Sequence, residues 1–160
     1  MCLHSIKGKP SIAKRDIVCY KVLLQHQCNT NPSNMFIVTP FKRCEITDTQ
    51  LNGSSPIKAN FNPKTSEIYQ NNSRLLYSWD VGEGYIHTYR SKRAAKNAIF
   101  MYGLDTDLFN SDWCKQDWVT YGVIYECIIP KGTKYYKGID DADIRCYASE
   151  EIRVKALIVK

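Results

Sequence analysis

The sequence predicts an α+β domain: a mainly antiparallel sheet of five or six strands with one clear helix over about residues 91 to 102. Two observations carry that prediction. Asp16 to Gln25, Met35 to Thr47, Tyr85 to Tyr89, Val119 to Ile129 and Glu151 to Val159 are rich in the β-branched and aromatic side chains that suit a pleated, buried surface. Against them stands a single helical pattern, Lys92 to Tyr102, and one helix beside many strands argues for an antiparallel sheet rather than alternating βα units.

The elements follow in order. Residues 1 to 15, with Gly8, Pro10 and scattered lysines, read as an arm or loop. Asp16 to Gln25 is the first strand, and Pro32 with its flanking asparagines breaks it. Met35 to Thr47 is the second, with Pro40 marking a bulge or an edge, so a first hairpin is expected. Residues 48 to 74 hold Pro56, Pro63, Gly53 and many amides, which predicts a long irregular excursion with room for one short strand. Leu75 to Trp79 is short and apolar, and Asp80 to Gly84 is a turn.

Tyr85 to Tyr89 alternates like a strand and leads to Ser91, a helix-capping residue. Ala94, Ala95, Ala98, Ile99 and Tyr102 then form one apolar stripe, with Lys92, Arg93 and Lys96 opposite. Gly103 supplies a left-handed stop, and Asp105 to Asp117 reads as an irregular loop. Val119 to Ile129 is a strand ended by a Pro130-Lys131-Gly132 turn, with a short continuation over Lys134 to Lys137. An acidic loop at Asp140 to Asp143 precedes the last strand, Glu151 to Val159.

The chain of 160 residues is long enough for one domain that buries roughly two-thirds of its unfolded surface, so a single unit over residues 1 to 160 is expected. Apolar residues at 44% and charged residues at 24% match globular usage and exclude compositional disorder. No apolar run reaches about 18 residues, and the first residues lack the apolar core of a secretory signal. The expectation is a cytoplasmic protein that does not engage a membrane. The seven cysteines are odd in number and include no Cys-x-x-Cys pair, which fits reduced thiols packed as small hydrophobes at Cys19, Cys44 and Cys127. The triplets at Asn52 and Asn71 carry no weight as glycosylation signals without export.

The formal charge of +6 is uneven: residues 1 to 80 carry ten Lys/Arg against five Asp/Glu, and residues 81 to 160 twelve against eleven. Such a balance attracts anionic partners but serves solubility equally well, since no basic block of five occurs. Cations and aromatics interleave at Tyr89, Arg90, Lys92, Arg93 and Lys96, and again at Lys131, Lys134, Tyr135, Tyr136 and Lys137. Aromatic faces beside cations stack bases and hold phosphates, so these are the candidate binding residues if the two stretches adjoin. Tyrosine is also an ordinary strand residue.

Gly84 to Tyr89 with the Ala94-Ala95 helix, then Glu126 to Gly138 and Tyr147 to Ile152, resembles small uncharacterised proteins of bacteriophages and gut Bacteroidetes, over roughly residues 80 to 155. The same order also resembles the ADP-ribosyltransferase fold. That second resemblance implies NAD as cofactor and a carboxylate at the start of a late strand, Glu150 or Glu151, stabilising an oxocarbenium-like transition state, with His87 nearby. The family's early Arg or His-Gly motif has no counterpart, because His26 is followed by Gln27.

Other constellations are weaker. Cys2-x-His4 and His26-x-Cys28 each place two soft ligands on one side of an extended segment, but the intervals of structural zinc sites are absent. A processed N-terminal Cys2 is a conceivable nucleophile, as is Cys127 beside His87, though a cysteine in an apolar strand is ordinarily inert core. Asp105, Asp107, Asn110 and Asp112 lack the glycine and terminal glutamate of a calcium loop. Gly82-Glu83-Gly84 precedes a strand and so is no phosphate cradle. The resulting expectation is a binding or interaction module without metal or cofactor, associated with a phage or mobile element, for an anionic or protein partner. The alternatives are an ADP-ribosyltransferase-like protein and a nucleic-acid-binding domain.

Overall fold

A computed structural model describes residues 3–5, 10–28, 35–38, 55–59, 80–81, 85–102, 118–140 and 142–159. In chain order the strands are β1 (Leu3–Ser5), β2 (Ser11–Ile12), β3 (Ile17–Cys28), β4 (Met35–Val38), β5 (Ile57–Lys58), β6 (Asp80–Val81), β7 (Ile86–Tyr89), β8 (Trp118–Ile129), β9 (Lys134–Ile139), β10 (Arg145–Ser149) and β11 (Glu151–Val159). The described helix, α1 (Lys92–Met101), lies between β7 and β8.

These strands form one antiparallel sheet in the order β5-β11-β8-β3-β7-β10-β9-β1-β6, with β2 added to β9 and β4 to β3. The α+β class and the antiparallel pairing agree with the sequence, but the sheet has more than the expected five or six strands. The excess comes from short pieces with too few residues to show a period. Residues 1 to 15, expected as an arm or loop, contribute β1 and β2, which pair with β9 at Ser5↔Gly138 and Ser11↔Tyr135. Their backbone groups complete an edge that β9 would otherwise leave open. The expected hairpin forms, with Leu24 opposite Val38 and Gln27 opposite Met35. Asp80–Val81, expected within a turn, is strand β6 paired with β1. The remainder of the second predicted strand, most of residues 48 to 74, the 75 to 79 run, residues 82 to 84, Gly103 and the 105 to 117 loop lie outside the described residues.

The centre of the sheet is the pairing of β3 with β8, which runs without a break from Ile17↔Ile129 to Cys28↔Trp118. At their middle, consecutive residues Val22, Leu23 and Leu24 of β3 and Val123 and Ile124 of β8 are all buried, so both faces are covered there and the sequence runs apolar without alternating. Successive side chains point to opposite faces, so Cys19, Leu23, Val123 and Cys127 enter one core with Ile86, Ile129 and Ile152. Val22, Leu24 and Ile124 enter the other, beneath Ala95, Ala98 and Ile99 of α1. Small residues let the helix sit close: a Cβ placed on Gly122 of β8 would lie 3.0 Å from Ile99 Cγ1.

Two turns matter for the surface. The Pro130–Thr133 turn is closed by the Thr133 N–H donating to the Pro130 carbonyl at 3.1 Å, with Gly132 at φ 87, where only glycine is unstrained. Ala13 and Asp16 tie it to the chain start: Gly132 N–H donates to Ala13 O at 2.8 Å and Lys131 N–H to Asp16 Oδ1 at 2.8 Å. β10, which has no counterpart in the sequence reading, follows the 140 to 144 turn and inserts between β7 and β9. Only Glu150 separates it from β11, and its five residues are too few to show a period of their own.

Candidate anion-binding groove

α1 starts where the sequence says it should. Ser91 is extended (φ −149, ψ 158) and its Oγ accepts from the Ala94 N–H at 3.1 Å, satisfying a backbone donor that the first turn leaves open. The apolar stripe faces the sheet with Ala95, Ala98 and Ile99 buried. This orientation turns Arg93, Asn97, Phe100 and Met101, which recur at i, i+4, i+7 and i+8, onto an outer flank.

Facing that flank is the 140 to 145 turn, built around one buried carboxylate. Asp140 Oδ1 accepts from the N–H groups of Ala142 (3.0 Å) and Ile144 (2.9 Å), while Oδ2 accepts from the Tyr89 hydroxyl at 3.2 Å. Backbone bonds from Asp143 N–H to Asp140 O and from Asp140 N–H to Ile144 O, each 3.0 Å, close the turn. Asp143 takes the left-handed conformation (φ 59), which aspartate tolerates better than most residues. Burial, reinforced by the Asp140 charge, holds the Tyr89 phenol far above its usual range, so it stays a hydrogen-bond donor. The turn is joined to the end of β7 by the Arg90 N–H, which donates to the Arg145 carbonyl at 3.2 Å.

Between flank and turn lies a groove of about 760 Å³. Three arginines line it, Arg90, Arg93 and Arg145, against one acidic residue, Asp143. The Arg90 guanidinium carbon sits 5.5 Å from the centroid of the Tyr147 ring, a cation–π contact that restrains the side chain. Among the described residues no salt bridge engages Arg93 or Arg145. The arrangement suits capture of an anion by planar, multidentate donors.

The structure brings together only part of the expected binding set. Arg90 and Arg93 line the groove; Lys92 and Lys96 are exposed on the same helix but do not line it. Lys131 is exposed at its turn, and Lys134 Nζ is held 3.2 Å from Glu150 Oε1. Tyr135 and Tyr136 are 6% and 2% exposed and present no stacking face to a partner. They pack edge-on against Tyr147 and Tyr85, with ring centroids 5.6 and 5.5 Å apart. Tyr135 and Tyr147 link the two stretches indirectly, because Lys137 lies over the first ring and Arg90 over the second. Sequence reasoning does not reach Arg145, a lone cation two residues beyond the acidic loop at Asp140 to Asp143 and outside any predicted element. The turn that presents it becomes visible only once Tyr89 is seen against Asp140.

The residues implied by the transferase resemblance are placed elsewhere. Glu150 is in the ion pair with Lys134, Glu151 opens β11 opposite Lys58, and none of Glu150, Glu151 or His87 lines the groove. His87 is 5% exposed, and its carbonyl accepts from the buried Lys21 Nζ at 2.9 Å. Strand alternation also puts His87 on the face opposite its neighbour Ile86, which shares a core with Cys127. Burial pushes the Cys19 thiol up to about 12 and Cys127 higher still, so neither is a nucleophile at neutral pH. Cys2, the side chains of His4, His26 and Cys28, and the aspartates at 105 to 112 lie outside the described residues. Among the described residues there is no group of three potential metal ligands, and no helix is long and apolar enough to cross a membrane.

No protein-family profile matches the chain, and neither does any curated protein or solved structure.

Proposed function

We propose that this protein is a binding module that holds an anionic partner in the groove between α1 and the 140 to 145 turn. The observation that carries this reading is the convergence of Arg90, Arg93 and Arg145 on one concave surface with a single opposing carboxylate. Like charges gathered this way repel, and an anionic ligand relieves the repulsion while each guanidinium supplies paired donors. Lys134, by contrast, already has its carboxylate, and Lys131 is exposed on a turn tied down by Asp16, outside the groove.

Thermal melting with inorganic polyphosphate tests the reading. A ligand at a hundred times its dissociation constant raises Tm by about 5 to 10 °C for a chain of this size. The rise shrinks with added salt and is lost in the Arg93→Glu/Arg145→Glu protein. NAD, the ligand of the transferase alternative, carries a single pyrophosphate and raises Tm less than polyphosphate does. An absent polyphosphate shift at low salt, or one that the double substitution leaves intact, overturns the proposal.

A further inference from the structure

The groove offers more than charge. Phe100 is 74% exposed, the most of any large apolar side chain described, and Met101 beside it is 59% exposed. Isolated apolar residues on a surface need no explanation. These two are adjacent, and both line the groove that holds the three arginines. Neither contributes to the buried stripe of α1, which is made by Ala95, Ala98 and Ile99. The wall opposite the turn therefore has a cationic end at Arg93 and an aromatic end at Phe100, two helical turns apart on one flank.

We infer that the anionic ligand is a single-stranded nucleic acid, with phosphates on Arg90, Arg93 and Arg145 and a base stacked on Phe100. This rests on the anion-binding reading above. An acidic peptide satisfies the arginines and leaves the exposed ring unused. A duplex supplies phosphates but keeps its base faces stacked within the helix. A single strand alone presents a regular anionic backbone together with free π-faces, and an arginine-lined groove beside an exposed aromatic is the surface that receives both. Arg90 is held near the groove by its cation–π contact, 5.5 Å from the Tyr147 ring centroid.

Fluorescence anisotropy at low salt tests the inference with four probes: labelled oligothymidylate of about 12 nucleotides, the uridylate equivalent, an abasic phosphodiester of equal length, and polyglutamate. The oligonucleotides are expected to bind more tightly than the abasic chain. Phe100→Ala, an exposed substitution, weakens them about 5- to 100-fold and leaves the abasic chain and polyglutamate unchanged. The thymidylate and uridylate arms distinguish DNA from RNA as the source of the strand. Equal affinity for oligonucleotide and abasic chain, or no effect of Phe100→Ala, overturns the inference. If polyglutamate binds through the arginines and the oligonucleotides do not, the nucleic-acid assignment fails and the anion-binding reading survives. Failure of all four probes removes both.

Discussion

The Tyr89 hydroxyl donates to the Asp140 carboxylate at 3.2 Å, joining the end of β7 to the turn that presents Arg145. Asp140 is buried, and the same carboxylate takes two backbone N–H bonds from that turn. Replacing it with alanine removes three hydrogen bonds at once. The expected loss is about 2 to 4 kcal/mol of stability, read by denaturant unfolding. Tyr89→Phe is expected to cost about 1 kcal/mol through loss of the bond to Asp140. Both weaken polyanion binding through the displaced turn, Asp140→Ala more so. A destabilisation of Asp140→Ala no larger than that of Tyr89→Phe contradicts this role.

Gly122 has no room for a side chain. A Cβ there would meet Ile99 Cγ1, Cδ1 and Cγ2 at 3.0, 3.1 and 3.2 Å. Gly122→Ala should cost about 1 to 3 kcal/mol by overpacking. Combined with Ile99→Ala, the loss should be smaller than the sum of the two single changes, because both act on one contact. Strict additivity in a double-mutant cycle rules out the close approach.

Ser91 separates stability from binding. Ser91→Ala removes the cap and costs about 1 kcal/mol, whereas Ser91→Asp keeps a capping oxygen and its favourable place at the positive end of the helix. Since Ser91 lines the groove, the new carboxylate there repels an anionic ligand. Ser91→Asp is thus expected to melt like the native protein yet bind polyphosphate several-fold more weakly, by about the strength of one added like charge. Equal affinity of the two proteins argues against a ligand at this end of α1.

Burial sets an alkaline limit. The Cys19 thiol rises from its ordinary value of 9.0 to about 12, chiefly by desolvation, and Cys127 opposite it in the sheet rises for the same reason. A group with a raised folded-state value contributes stability fully below the unfolded value and loses it as pH climbs toward the folded one. Stability should therefore fall as pH rises above about 9 toward 12, where the unfolded thiols ionise and the buried ones do not. Cys19→Ala/Cys127→Ala, although less stable at pH 7, should show a shallower decline. Alkylation followed by mass spectrometry should find both cysteines protected at pH 8 in the folded protein. Labelling as fast as in the unfolded chain contradicts the buried pair.

What the sequence makes legible is whatever a local period encodes. Ser91, the 94/95/98/99 stripe, the Lys131-Gly132 turn and the long strands β3 and β8 appear as expected, because capping, helical spacing and continuous apolar runs are written in neighbouring residues. β1, β2 and β10 do not, since two to five residues show no period; β1 and β2 are added along the outer side of β9, and β10 is fixed by pairing with β7 on one side and β9 on the other. The groove was half legible. Arg90 and Arg93 stood out beside an aromatic strand, but Tyr135 and Tyr136 look the same in sequence whether they face solvent or core, and burial decided for core. Arg145 joins them across 52 residues from Arg93 only through the Asp140 turn, a long-range relation that no local pattern carries.

The dissociation constant of labelled polyphosphate, measured against salt for three proteins, tests the central claim most directly. Against the native chain stand Arg90→Ala/Arg93→Ala/Arg145→Ala and Lys131→Ala/Lys134→Ala/Lys137→Ala. The groove predicts that the arginine protein binds at least about tenfold more weakly with a flatter salt dependence, while the lysine protein stays within about twofold of native. The opposite order, with the lysine substitutions abolishing binding and the arginine substitutions tolerated, contradicts it.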